Sequence, residues 1–211
     1  MDFWTELDAV RARHNVLEHS FYQRWSAGEL TRDELAVYAG EYRHAVQALA
    51  VASAHAADAA DPAARPAVEA HAREEASHVA LWDAFARAAG GDIVREPAPE
   101  TVACAQAWAG EPDRPLLRAL VALYAIEAAQ PEISATKRAG LLEHYGFADG
   151  PATEYFSLHA ELDREHAAHQ RELIAQRLDD GAHRDLLAEA ERVLRANWEL
   201  LDGVERLNGR A

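Results

Sequence analysis

Cysteine is nearly absent: Cys104 is the single one among 211 residues, so an internal disulfide is impossible and a cluster of thiolate metal ligands is excluded. It sits in the apolar stretch Val102-Ala103-Cys104-Ala105 and reads as a small core residue, not a nucleophile. Basic residues are also scarce, with 21 Lys and Arg against 36 Asp and Glu and a formal net charge of −15. That balance argues against nonspecific nucleic-acid binding and against attraction to anionic membranes, both of which need Lys/Arg-rich patches. No apolar run approaches the ~20 residues that span a bilayer. Met1 to Val10 carries acidic residues and no long apolar core, unlike a secretory signal, so a cytoplasmic setting is the expectation. Period-two alternation of β-branched residues is missing as well, which excludes evident strands. What remains is 49% hydrophobic and 27% charged, an ordinary globular balance, in a length that suits one domain over residues 1–211.

Gly, Pro and Asp divide that length into about seven or eight helices. The first is predicted from Phe3 to Trp25, ended by Gly28. Thr31 then caps a long helix to about Ala57, with Glu34 at capping-box spacing. Asp61-Pro62 opens the third, since proline is tolerated at the first helical position, and Gly90-Gly91 closes it. Residues 92–100 read as a loop before a short helix through Trp108. Asp113 to Gln130 follows, and Pro131 must kink or break it. A helix from about Glu132 to Tyr145 stops at Gly146. The turn Asp149-Gly150-Pro151 starts a long helix to Asp180, and a last helix covers His183 to Leu207. The fold class is all-α, a single helical bundle.

Three of these helices carry groups that could do chemistry. In His159-Ala-Glu-Leu-Asp163-Arg-Glu-His166, the two histidines and Asp163 lie within about 60° on one helical stripe. Imidazole nitrogens and a carboxylate on one stripe form a ligand set for iron, manganese or zinc; a solvated face is the bland alternative. In Glu74-Glu75-Ala-Ser-His78 either glutamate can share the face of His78, and so can His71; Glu-x-x-His is the pattern by which helical dimetal proteins hold carboxylate and imidazole ligands. Glu127 is a lone carboxylate in an otherwise apolar helix, where burial is costly without a cation or metal. Glu41 and His44 share the same spacing and are candidates for a surrounding or substrate-pocket role. His169 is about 80° off the stripe and peripheral.

The segments Phe21-Tyr-Gln-Arg-Trp-Ser-Ala-Gly-Glu-Leu and Tyr38-Ala-Gly-Glu-Tyr-Arg-His44 resemble the opening of the TenA/PqqC/CADD group, which has a haem-oxygenase-like helical fold. The segments from Tyr124 to Leu141 and from Tyr155 to His166 resemble its CADD branch, among the haem-oxygenase-like diiron oxidases. The resemblance covers nearly the whole chain. It implies metal ligands at Glu75 (or Glu74), His78, Glu127, His159, Asp163 and His166, holding two Fe ions or one Fe and one Mn, with O2 as co-substrate. CADD-like members are implicated in making para-aminobenzoate for folate from a tyrosine of their own. Tyr22, Tyr38 and Tyr155 match tyrosines of that pattern, and Lys137 matches a lysine proposed as amine donor. One departure stands out: the acidic segment before the first ligand histidine is shortened here to Glu74-Glu-Ala-Ser-His-Val-Ala-Leu-Trp82.

The expected activity is therefore O2-dependent oxidation of a small amine, an amino acid or the protein's own tyrosine, Tyr22 first, with an external electron donor. The resemblance also makes a homodimer the expected assembly. A TenA-like thiaminase would need a cysteine nucleophile a few residues before Tyr124, where this chain has Leu120 and its neighbours. A cofactorless PqqC-like oxidase would leave the complete ligand set unexplained. A helical interaction protein would bind its partner without metal.

Overall fold

The computed structural model describes residues 2–179 and 181–210; Met1, Asp180 and Ala211 lie outside it. The described residues form helices joined by turns and short irregular segments, with no strand among them. The helices are α1 (Phe3–Arg13), α2 (Ser20–Ser26), α3 (Arg32–Asp58), α4 (Arg65–Ala88), α5 (Pro99–Ala109), α6 (Leu116–Glu127), α7 (Gln130–His144), α8 (Glu154–Ala175) and α9 (His183–Leu207). Among the described residues no helix is long and apolar enough to cross a membrane.

The helix expected from Phe3 to Trp25 is two helices separated by a 3-10 turn, Val16–Glu18. Two side chains cause the break by competing for backbone donors. The Leu17 amide donates to Asn15 Oδ1 at 3.2 Å and the Phe21 amide donates to His19 Nδ1 at 3.0 Å, capping the turn and α2 in sequence. The capping box of Thr31 and Glu34 forms as expected at the start of α3. Asp61, by contrast, does not open α4: its side chain takes the amides of Ala63 and Ala64 in a separate turn, and the helix begins at Arg65 with Pro66 in its first turn. Asp113 likewise precedes a turn, and α6 starts after Pro115. At its far end α8 stops at Ala175, short of the expected Asp180, which is outside the described residues.

Pro131 acts as predicted. It occupies the first turn of α7, so the chain changes direction at Ala128-Ala129 and leaves Glu127 as the last residue of α6. A carboxylate at a helix C-terminus faces the negative end of the helix dipole; with burial added, that position calls for a cation. Packing sets the rest: α3 lies against α4 and α5, α8 against α6, α7 and α4, and α9 against α1, α5 and α6. The inward faces of α4, α6 and α8 thus converge. Beside them a dense aromatic core forms around Trp82, whose indole donates to the Ala39 carbonyl at 2.9 Å and ties α4 to α3.

Candidate metal centre

Seven metal-ligating side chains meet where α4, α6 and α8 converge. From α4, Glu75 and His78 point inward and are 2% and 3% exposed. One turn earlier, His71 faces the same way. Glu127 comes from the end of α6, and His159, Asp163 and His166 come from α8 as the stripe predicts. These residues form three overlapping groups whose ligand atoms lie within 4.8 Å of one another: Glu75 with His78 and His159, His71 with Glu127 and His166, and Glu75 with Asp163 and His166. Glu75 thus stands between two potential metal positions.

The individual distances describe a cluster without its own hydrogen bonds. His78 Nδ1 is 3.1 Å from Glu75 Oε1, and His166 Nδ1 is 3.3 Å from Asp163 Oδ1. His71 Nε2 lies 3.3 Å from Glu127 Oε1 and 3.8 Å from Glu75 Oε1. Yet His71 Nε2, Glu75 Oε1, His78 Nδ1, Glu127 Oε1, His159 Nε2, both oxygens of Asp163 and His166 Nδ1 are all buried without a hydrogen-bond partner. Buried polar atoms are normally paired, and unpaired buried charge costs several kcal/mol. Eight such atoms facing one point are what a pair of cations would satisfy.

The opposite edges of the rings are held, as ligand histidines usually are. His159 Nδ1 donates to the Tyr155 carbonyl at 2.7 Å, which leaves its Nε2 aimed inward. His166 Nε2 contacts Glu74 Oε2 at 2.9 Å. That bond resolves the adjacent glutamates of α4: Glu75 enters the cluster, while Glu74 is half exposed and orients His166 from outside. Gln170 donates to Glu127 Oε2 at 2.6 Å and orients it.

Protonation follows from these contacts. Burial raises the Asp163 pKa, against the pull of His166. Burial would raise Glu75 too, but the close approach of His78, with His159 and His71 adding, brings it below the usual value. Burial depresses His159. For His166 burial also favours the neutral ring, yet Asp163, Glu127 and Glu74 outweigh it and lift its pKa to about 9. His71 is raised in the same way, by Glu127 and Glu75 over burial.

Next to the cluster is an aromatic box. Tyr155 stacks on His159 with centroids 4.0 Å apart and meets Trp82 edge-on at 4.9 Å. Trp82 touches Tyr38 at 5.9 Å, and the Tyr38 and Tyr22 hydroxyls are 2.7 Å apart. Rings in contact therefore run from His159 to Tyr22. Burial pushes the phenol pKa of Tyr22, Tyr38 and Tyr155 well above the usual value. Lys137 is buried among these rings, its Nζ 5.2 Å from the centre of Tyr22 and 4.6 Å from that of Tyr42. Burial alone lowers its pKa to about 7.

Other expected candidates sit elsewhere. Glu41 is wholly buried but accepts hydrogen bonds from Arg95, the Ala98 amide and Thr101, and His44 contacts the Arg95 carbonyl. Both pin the loop before α5, and neither lines the cluster. Cys104 is buried as expected, and burial pushes its thiol pKa up, leaving it unsuited to act as a nucleophile. Sequence spacing places His71 on the face of His78 without making it a ligand, and the structure brings it in together with Glu75. It does not single out Tyr42 or Gln170, whose roles depend on contacts between helices.

An all-helical fold with carboxylates and imidazoles gathered on three helices has the architecture of helical dimetal proteins. The chain belongs to the family described as iron-containing redox enzymes, whose model matches residues 33–198. Its relatives include the 4-aminobenzoate synthase of Chlamydia trachomatis, 32% identical over 90% of this chain and 87% of that one. The 4-aminobenzoate synthase of Nitrosomonas europaea is 30% identical over 96% of this chain and 90% of its own length. Among solved structures, a TenA homologue from Pseudomonas syringae superposes with a TM-score of 0.84 at 20% identity, covering 97% of this chain and 91% of that chain. A CADD-like protein from Nostoc punctiforme gives 0.74 at 18% identity, covering 96% and 98%. These comparisons bear out the haem-oxygenase-like fold and the CADD-type resemblance.

Proposed function

We propose that the chain is a dioxygen-activating dimetal oxidase, with Glu75, His78, Glu127, His159, Asp163 and His166 as ligands and His71 as a seventh. The eight buried, unpartnered donor atoms that face one another carry this reading. The donor set suits iron, or one iron and one manganese: imidazole and carboxylate without thiolate. Two such ions, when bound, would activate dioxygen with electrons from an external donor.

Like the relatives named 4-aminobenzoate synthase, the chain makes 4-aminobenzoate in this reading, with its own Tyr22 supplying the ring. The side chains divide the remaining work. Tyr155 covers the His159 ring and keeps water from that side of the centre. Trp82 and Tyr38 join Tyr155 to Tyr22 through ring contacts, and the Tyr22–Tyr38 hydrogen bond fixes the orientation of the phenol. Lys137, with a pKa of about 7, presents a substantially neutral amine beside that ring. A protonated lysine has no lone pair to offer, so burial prepares it as an amine donor.

Mass spectrometry of the protein after aerobic incubation with Fe(II) and a reductant tests the self-derived substrate. A mass loss at Tyr22 is the expected result. An unmodified chain that consumes oxygen would instead mean a free small-molecule amine or amino acid. Glu127→Ala and His159→Ala test the centre itself; if both keep wild-type iron content and oxygen consumption, the ligand assignment is wrong.

A further inference from the structure

A cavity of about 300 Å³ opens onto the cluster from the side away from the aromatic box. His71 and His166 form part of its wall, and Leu120, Leu123, Leu162 and Leu173 form much of its apolar surface. Two small residues of α4, Ala67 and Ala70, leave it room. Glu74, Glu165 and His169, all exposed or half exposed, stand among the lining residues on the solvent side.

The two sides of the cluster thus differ in kind. On the His78 and His159 side, stacked Tyr155 and Trp82 close the approach. On the His71 and His166 side, a leucine-walled space reaches the rings of both histidines, whose unpartnered nitrogens stay buried. Its inner walls of leucine, Val68 and alanine offer a small apolar gas an apolar surface to settle on, while the polar residues other than the two histidines and Gln170 stand toward solvent. An organic anion would meet the carboxylates of Glu74 and Glu165 on its way in.

We propose that this cavity is the route by which dioxygen reaches the centre, entering past His71 and His166. The inference rests on the oxidase reading above. It separates the two reactants in space: dioxygen arrives through the leucine-walled cavity, while Tyr22 and Lys137 wait behind the aromatic rings on the other side. That arrangement keeps the dry box closed while the centre stays accessible to gas.

Xenon, an apolar probe of similar size to dioxygen, tests the cavity without any turnover. Crystals of the full chain under xenon pressure should show xenon between Leu120, Leu123 and Ala67, and Ala67→Phe should remove it. In Fe(II)-loaded protein the rate constant for reaction with dioxygen should fall stepwise through Ala67→Val, Ala67→Leu and Ala67→Phe. The drop should reach about tenfold at the largest side chain, since entry then waits on side-chain motion. Iron stoichiometry, measured on each variant, should stay at the wild-type value. An unchanged oxygen rate across the series, or no xenon in the wild-type cavity, would overturn the proposal while leaving the oxidase reading intact. If Ala67→Phe left the oxygen rate alone but blocked oxidation of an added aliphatic amine, the cavity would be an organic substrate site and the proposal would fall. A wild-type chain that binds iron but never reacts with dioxygen would overturn both readings.

Discussion

His71 Nε2 lies 3.3 Å from Glu127 Oε1, and neither atom has a hydrogen-bond partner. An imidazole nitrogen and a carboxylate oxygen at this separation, both unpartnered, are donors that a cation between them would satisfy. The pair comes from α4 and α6, two helices that pack chiefly against other elements, α4 on α3 and α6 on α8 and α9. A metal at this point would therefore connect elements that apolar packing alone leaves loosely joined.

If His71 is a ligand, His71→Ala should lower bound iron from about two to about one per chain, because the group of His71, Glu127 and His166 loses a corner. His71→Glu should retain both ions, since a carboxylate can replace the ring as a donor. Elemental analysis after dialysis reads both. Wild-type iron content in His71→Ala would leave the residue outside the coordination sphere.

Iron affinity should depend on pH with a definite sign. Without metal, the carboxylates around His166 lift its pKa to about 9. That stabilises the metal-free fold fully below the ring's ordinary pKa of 6.5, and the contribution fades as pH rises through about 9. A protonated ring cannot bind a cation, so loading must expel this proton. Affinity should climb with pH throughout the range below about 9 and then level off. Competition with a chelator at several pH values gives the slope, and calorimetry in buffers of different ionisation enthalpy counts the protons released. A flat profile would contradict the assignment of His166.

Several of these features are legible from residue spacing alone, and for physical reasons. The stripe of His159, Asp163 and His166 follows from helical periodicity, and Glu127 stands out as a single carboxylate in an apolar helix. Glu74 and Glu75 cannot be told apart that way, because both fall near the face of His78; the contact of Glu74 with His166 decides it. The break between α1 and α2 is equally hidden, since Asn15 and His19 are compatible with a helix until their side chains capture the Leu17 and Phe21 amides. The aromatic box depends on how α2, α3, α4, α7 and α8 stack, which no local pattern encodes.

Lys137 should titrate near neutrality. Burial lowers its pKa to about 7, against 10.5 for an ordinary lysine. The unfolded chain therefore holds this proton up to about 10.5 and the folded chain gives it up at about 7. Stability should rise with pH across that window. Lys137→Met should remove this rise, and denaturant midpoints measured on the metal-free protein at pH 7 and pH 9 compare the two. An amine that titrates at its ordinary value in carbon NMR of the dimethylated lysine would refute the depressed pKa.

Gly140 connects that lysine to the packing of α2. A Cβ at Gly140 would come within 2.6 Å of Trp25 Cδ1, and Trp25 is fully buried, so its indole has nowhere to move. The same indole donates to the Lys137 carbonyl at 3.1 Å, fixing α7 where the amine faces Tyr22. Gly140→Ala should destabilise the fold by about 1–3 kcal/mol through overpacking. Trp25→Phe alone should also destabilise it by opening space and leaving the carbonyl without its donor. Combined, the two substitutions should cost less than their sum, because the smaller ring makes room for the new methyl group. Chemical denaturation of the two single variants and the double variant reads the coupling. Additive effects would mean that the Gly140–Trp25 contact does not set the position of α7.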